Sequence, residues 1–505
     1  MSGEGLRGEE PGATLPTSEA LGGVAVRSGG ITIITRLVGQ AVQLGATMVL
    51  ARILTPDDFG VVGMVSAASG LLLLFSDFGF TDATLQSDHL TRDQASTLFW
   101  ICVGSNVLLT LLMFLTSPLL AAFYREPRVT SISRILSVQF LLVGLGNQHF
   151  AIMRREMRFA AVSLAMLGSS VVGNGLAVIL ALRGLGYWSL VIRELGVCIL
   201  TAAAGWTLCG WRPIIPRKPS DAGPLVRFGL TTAGSLGVSY LSMNVDKVLV
   251  GRTRGPEELG FYTRAFGLFQ MSVGQFASSL HHVAVATLSR LRDRPAEYRR
   301  YYLRAVSAIS FLGMPLSGIL VVCARDIVTV LFGDQWSKSG ELLSLLAASI
   351  GVRMVYDTNQ WLTSSLGRAD RRLKWNAISL VATIGAVAAG LPFGTTGVAV
   401  AYSLSTFLLL FPGLVYAGRP MRLTVGDILS CSWQSVLAAL SAGVLMWRIL
   451  SVPGAGWSPL LRLGISFPVY ALAYVVAVVL LSRSLKPVKQ MASLFRVLMP
   501  GLRGR

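Results

Sequence analysis

Fourteen continuous apolar stretches, each near the length that carries a helix across a bilayer, constrain this chain more than any other feature. They fall near 28–50, 58–79, 95–116, 131–151, 159–182, 186–209, 228–251, 257–281, 303–323, 341–363, 374–391, 395–417, 426–447 and 463–482. The tenth is the most polar. None alternates residue by residue as a barrel strand does, so helices are predicted throughout. Composition agrees: 53% of residues are hydrophobic and only 14% are charged, against about 25% charged in an average globular chain. A soluble globular domain and a disordered chain are both excluded. The predicted class is an all-α integral membrane protein with about 14 transmembrane helices.

The formal net charge is +19, from 44 Lys+Arg against 25 Asp+Glu. With both termini cytoplasmic, the tails and cytoplasmic loops hold roughly two thirds of the basic residues and the opposite side roughly a quarter, which is a positive-inside pattern. Residues 1–25 are polar and rich in Gly, Glu and Pro, without the apolar core of a secretory signal, and predict a disordered cytoplasmic tail. The five cysteines form no CxxC pair and predict neither a disulfide framework nor a metal site. No phosphate-binding loop is present, so ATP-driven transport would need another subunit. No cofactor is expected, only coupling to H+ or Na+.

An internal repeat appears at an offset of 200 residues: Arg52-Ile-Leu-Thr-Pro56-Asp57-Asp58-Phe-Gly60 aligns with Arg252-Thr-Arg-Gly-Pro256-Glu257-Glu258-Leu-Gly260. Upstream, Arg27, Gly29, Thr32 and Val38 match Arg227, Gly229, Thr232 and Val238. The expected organisation is a tail (1–25), an N-lobe of six helices (26–210), a cytoplasmic inter-lobe loop (211–227) and a C-lobe of six helices (228–418). Two further helices (419–482) and a basic cytoplasmic tail (483–505) follow. An even number of helices per copy makes this a parallel repeat, with a substrate path expected between the lobes. The Pro-acid-acid stretch itself reads as a helix start: Thr55 or Gly255 at the cap, Pro56 or Pro256 in the first turn, and acids at the positive end of the dipole.

Residues 49–60 (VLARILTPDDFG), 75–80 (FSDFGF), 95–100 (ASTLFW), 123–127 (FYREP), 150–159 (FAIMRREMRF) and 184–190 (GLGYWSL) resemble the Wzx-type polysaccharide flippases. These belong to the multidrug/oligosaccharidyl-lipid/polysaccharide exporter superfamily, and the match is to the branch containing the colanic acid exporter. The resemblance implies a flippase, not an enzyme. Its substrate would be undecaprenyl-pyrophosphate-linked oligosaccharide, moved from the cytoplasmic to the periplasmic leaflet of a bacterial inner membrane for exopolysaccharide, capsule or O-antigen assembly. It also implies alternating access of two lobes around a cationic cavity. A polysaccharide polymerase, a chain-length regulator and membrane lipid are the implied partners, and nucleic acid is not one.

Ionisable residues inside a membrane are costly, and each is a candidate site. Arg36, Gln40, Gln43 and Thr47 share one face of the first helix, lining either a wet cavity or a helix–helix seam. Its repeat partner carries Asp246 and Lys247. Arg264 and Gln275 lie on the eighth helix; Arg353, Asp357 and Gln360 lie on the tenth, where the first two are spaced to pair. Arg52 and Arg252 occupy equivalent places at the periplasmic mouth. Arginine offers bidentate recognition of phosphate and stays charged when partly desolvated. Arg36, Gln40, Gln43, Arg52, Lys247, Arg252, Arg264, Gln275, Arg353 and Gln360 are therefore the candidate substrate ligands. Asp77, Asp246 and Asp357 are candidates for ion coupling or gating. A multidrug exporter of the same superfamily is one alternative, though cationic drugs favour an acidic cavity. A membrane polymerase or ligase is the other, though the chain has no sizeable periplasmic loop.

Overall fold

The computed structural model describes residues 18–77, 81, 84, 90–215, 223–451 and 457–484; the side chains of 18–29, 33, 223–239, 242, 275–280 and 282 lie outside that description. The expected tails, most of the inter-lobe loop and the Gln275 side chain thus fall wholly or largely outside it. Every regular element among the described residues is helical, and each of the fourteen predicted segments is centred on helix. Nine stretches among those residues are long and apolar enough to cross a membrane; one of them, Ala369–Met421, holds two predicted segments.

Packing divides the chain into two compact units, Met1–Gly260 and Phe261–Arg505. The first contains α1 (Ser18–Ile53), α2 (Pro56–Leu73), α3 (Arg92–Tyr124), α4 (Arg128–Leu136), α5 (Val138–Arg155), α6 (Phe159–Leu182), α7 (Trp188–Leu208) and the first arm of α8 (Gly223–Arg290). Here α1 lies along α6, α6 along α7, and α5 against both α3 and α7. The second begins at Phe261, within α8, and continues with α9 (Pro295–Phe332), α10 (Ser337–Ala347), α11 (Ile350–Asp357), α12 (Asn359–Ser365), α13 (Ala369–Gly390), α14 (Gly394–Gly418), α15 (Val425–Leu450) and α16 (Pro459–Ser482). In it, α9 is the central element, packed on α10, α11, α15 and α16.

The helix starts follow from side-chain chemistry. Thr55, Thr91 and Thr424 each cap a helix and close a capping box with Asp58, Gln94 and Asp427, satisfying backbone N–H groups that the helix itself cannot. The second repeat copy does it differently. The long helical stretch α8 is broken at Gly255, whose φ of 85° and ψ of −179° belong to glycine. Small residues let helices approach: a Cβ at Gly351 would meet the Gly313 backbone at 2.8 Å, so α9 and α11 touch there main chain to main chain.

Candidate functional site

The two copies of the repeated motif meet within the first unit. A Cβ at Gly60 would overlap the carbonyl oxygen of Pro256, and a Cβ at Gly260 would overlap the carbonyl oxygen of Pro56. Each glycine therefore seats the proline of the other copy, an exchange expected of two equivalent segments crossing about a local two-fold axis. The contact continues along α2. The Tyr240 hydroxyl donates to the Ala67 carbonyl at 3.2 Å, and Gly70 leaves room for that phenol. Val250, Leu259, Val61 and Met64 are all buried around the crossing.

Three of the motifs that carry the family resemblance converge beside it. Arg128 binds the carboxylates of both Asp57 and Glu126, and its guanidinium lies 5.9 Å from the centroid of the Tyr187 ring. Gly186, at φ 53°, passes close to the Asp58 carboxylate. Arg252 lies 5.6 Å from the Phe123 ring, and a Cβ at Gly251 would meet the Tyr124 ring at 3.0 Å. Arg128 is absent from the candidates read from sequence. Its signal was there in Glu126-Pro127-Arg128, directly after the helix whose end carries FYREP.

This clamp has a pH dependence. The hydrogen bonds from Arg128 hold the Glu126 carboxyl below the usual carboxylate range, against the opposing effect of burial. A depressed folded value means that the clamp stabilises fully above the unfolded value of about 4.3 and is lost as pH falls through the folded one. The pair is partly exposed, 35% and 15%, so its contribution is about 1 kcal/mol or less. Arg128→Gln is expected to flatten the fall of melting temperature between about pH 5 and pH 3. An unchanged slope would mean that the titration of Glu126 does not feel the arginine.

The remaining candidates of the first unit are distributed along its helices. Arg36 is exposed on α1, while Gln43 accepts a hydrogen bond from Asn174 of α6 at 3.2 Å. Thr32 likewise accepts from Ser163 at 3.3 Å. Part of the polar face of α1 is thus a seam with α6, with Gln40 half-buried and Arg36 outside it. Arg52 is exposed at the end of α1. Lys247 donates to Asn244 at 2.7 Å, and Asp246 is 2% exposed. Asp77 accepts from the Thr81 hydroxyl at 2.8 Å just beyond α2. Beside it, Asn106 of α3 donates to the Ser76 carbonyl at 2.7 Å, a buried polar contact that a lone Asn in an apolar run did not announce.

In the second unit, Arg353 and Asp357 pair at 3.0 Å across one turn of α11, as their spacing predicted. Gln360 is exposed and Arg264 half-buried. Arg353 also begins a ladder that sequence reasoning missed. Its guanidinium is 5.4 Å from the Tyr356 ring; the Tyr356 hydroxyl accepts from the Trp375 indole at 2.9 Å; Trp375 stacks on Tyr416 at 5.7 Å. Arg371 closes it, 5.7 Å from the Tyr416 ring and donating to the Tyr416 carbonyl at 3.4 Å. Among the described residues no cluster of His, Cys, Asp and Glu is arranged to hold a metal ion.

A family profile described as "Polysaccharide biosynthesis protein" matches residues 49–341, more than half of the chain. The chain belongs to this family. The matched region runs from the end of α1 through both copies of the crossing motif into α10. Relatives include the teichuronic acid biosynthesis protein TuaB of Bacillus subtilis, 24% identical over 80% of this chain and 84% of that protein. The lipopolysaccharide biosynthesis protein WzxC of Escherichia coli is 22% identical over 79% of this chain and 83% of that protein. The succinoglycan biosynthesis transport protein ExoT of Rhizobium meliloti is 25% identical over 72% and 74%. In fold the chain is similar to the lipid II flippase MurJ in an inward closed conformation. The TM-score is 0.70 at 14% identity, over 90% of this chain and 98% of that one. An inward-facing multidrug resistance MATE family transporter matches at a TM-score of 0.63 and 14% identity, over 77% and 98%. The Wzx-type resemblance read from the motifs is borne out, as is the all-α membrane fold. The protein is a multi-pass membrane protein with a transporter fold.

Proposed function

We propose that this protein is a flippase for polyprenyl-pyrophosphate-linked oligosaccharide, moving it from the cytoplasmic to the periplasmic leaflet of a bacterial inner membrane. The product would feed assembly of exopolysaccharide, capsule or O-antigen. The observation that carries the reading is the family match across both copies of the crossing motif, in a chain whose relatives are polysaccharide biosynthesis and transport proteins. In this reading the lobes 26–210 and 228–418 alternate access around a charged path, with the 211–227 loop and both tails on the cytoplasmic side. Helices 419–482 flank the C-lobe. Arg36, Arg52, Lys247, Arg252, Arg264 and Arg353 meet the diphosphate, and Gln40, Gln275 and Gln360 meet the sugars, while Gln43 stays in the seam with α6. H+ or Na+ at Asp77, Asp246 or Asp357 supplies the driving force, and a polymerase with its chain-length regulator draws on the product. The multidrug alternative rests on a likeness of fold over 77% of the chain, against 90% for the lipid flippase.

A clean deletion is expected to remove surface polysaccharide and to trap lipid-linked units on the inner leaflet. Normal polysaccharide in that strain would sink the reading. Complementation with Arg36→Gln and Arg264→Gln separately is expected to restore less export than the unaltered gene. Full export by both would take those two arginines out of the path.

A further inference from the structure

We propose that the arginine–aromatic ladder of the second unit is a binding track for a glycosyl diphosphate. Arg371 and Arg353 take the anionic group at either end, and the rings of Tyr416 and Tyr356 carry the sugar. The inference rests on the transport reading above and assigns to it a site that the motifs do not contain.

Three features separate the ladder from ordinary core packing. First, it begins and ends in a guanidinium: Arg353 lies over Tyr356, and Arg371 over Tyr416. Three rings packed for stability alone need no cation at either end. Arginine carries five donors in a planar fork suited to phosphate oxygens, and Arg371 spends one on the Tyr416 carbonyl. Second, the exposure is graded. Trp375 at the centre is 6% exposed, whereas Tyr356, Tyr416 and Arg371 are half-buried, and the Arg353 side chain is 26% exposed. The indole is thus the fixed spacer, bonded to one tyrosine and stacked on the other, and the tyrosines are the accessible rungs. Third, the backbone is cut away to admit the rings. A Cβ at Gly413 would lie 2.9 Å from the Trp375 ring and 3.0 Å from the Tyr356 ring.

A ligand matching this order of groups must be both anionic and rich in C–H surface beside hydroxyls. A sugar ring presents an apolar face to an aromatic ring and its hydroxyls to the phenols. A diphosphate at its anomeric end meets the arginine. At the inner end, the Asp357 carboxylate on Arg353 is the group that an incoming phosphate would displace.

The test uses the full chain in lipid nanodiscs with two probes: undecaprenyl pyrophosphate, and undecaprenyl pyrophosphate bearing one hexose. Arg371→Gln is expected to weaken both probes about tenfold, because a charge-assisted contact is lost. Tyr416→Leu is expected to weaken only the sugar-bearing probe, and Tyr416→Phe, which keeps the ring and loses the hydroxyl, to weaken that probe less and leave the other unchanged. Wild-type affinities for both probes in Arg371→Gln and Tyr416→Leu would overturn the track while leaving the transport reading in place, provided wild type binds and translocates the probes. Equal weakening of both probes by Tyr416→Leu overturns the sugar role. If Tyr416→Leu fails to fold, judged by its melting temperature, the Arg371→Gln arm decides. Wild type that neither binds nor translocates either probe removes the transport reading and the track together.

Discussion

Alanine at Gly60 is expected to abolish polysaccharide export, and alanine at Gly260 to do the same. The added methyl would stand where the carbonyl oxygen of Pro256 or Pro56 now lies. A flexible side chain could swing away from it; a helix backbone cannot, so the two segments must separate. Overpacking of this kind costs about 1–3 kcal/mol, enough to shift the balance between the states of a protein that switches. Gly104 on α3 is the control, since a Cβ there meets nothing within 4 Å; alanine at that position is expected to leave export intact. Export in a complemented deletion strain and the melting temperature of each purified variant are the readouts. Full export by Gly60→Ala and Gly260→Ala would show that the crossing has slack that the packing does not reveal.

The second large effect is at Arg353 and Asp357. Removing the arginine alone strands a largely buried carboxylate, and Arg353→Leu is expected to cost about 3 kcal/mol. Replacing both residues with leucine removes the stranded charge with the attraction, so the double variant should recover most of that stability. If Arg353 meets the diphosphate as proposed, the double variant should nonetheless fail to export. Thermal melting and export together separate the cases. A stable, fully exporting double variant would reduce the pair to a structural neutralisation within α11.

Much of this was legible in the residues, and the reasons for the rest are physical. Long apolar runs report a helix crossing lipid because no other backbone satisfies itself there, so all fourteen segments land on helix. Breaks inside those runs were not legible. The fourth segment splits at Ser137 with apolar residues on both sides, and the tenth into three short helices, the last break falling at Asp357-Thr358-Asn359, polar residues that the surrounding apolar run masked. The repeat was visible in Pro56-Asp57-Asp58 and Pro256-Glu257-Glu258, but its meaning needed the third dimension. Nothing local says that Gly60 faces Pro256. Tyr356, Trp375 and Tyr416 sit on three different helices, and each alone reads as a core aromatic. The polar face of α1 left two options open, and the bond from Asn174 to Gln43 settles one of its positions as a seam with α6.

Thr55 and Gly255 stand at equivalent places in the repeat but solve the same bend in incompatible ways. Thr55 holds its helix start through a side chain, whereas Gly255 adopts a backbone conformation open essentially to glycine alone. Recombination that copied the first segment over the second would force a β-branched residue into that conformation, at about 1–3 kcal/mol. The reverse exchange would strip a capping box from α2. Exchange of sequence between the two copies of the motif is therefore penalised in both directions, which works against their being made identical.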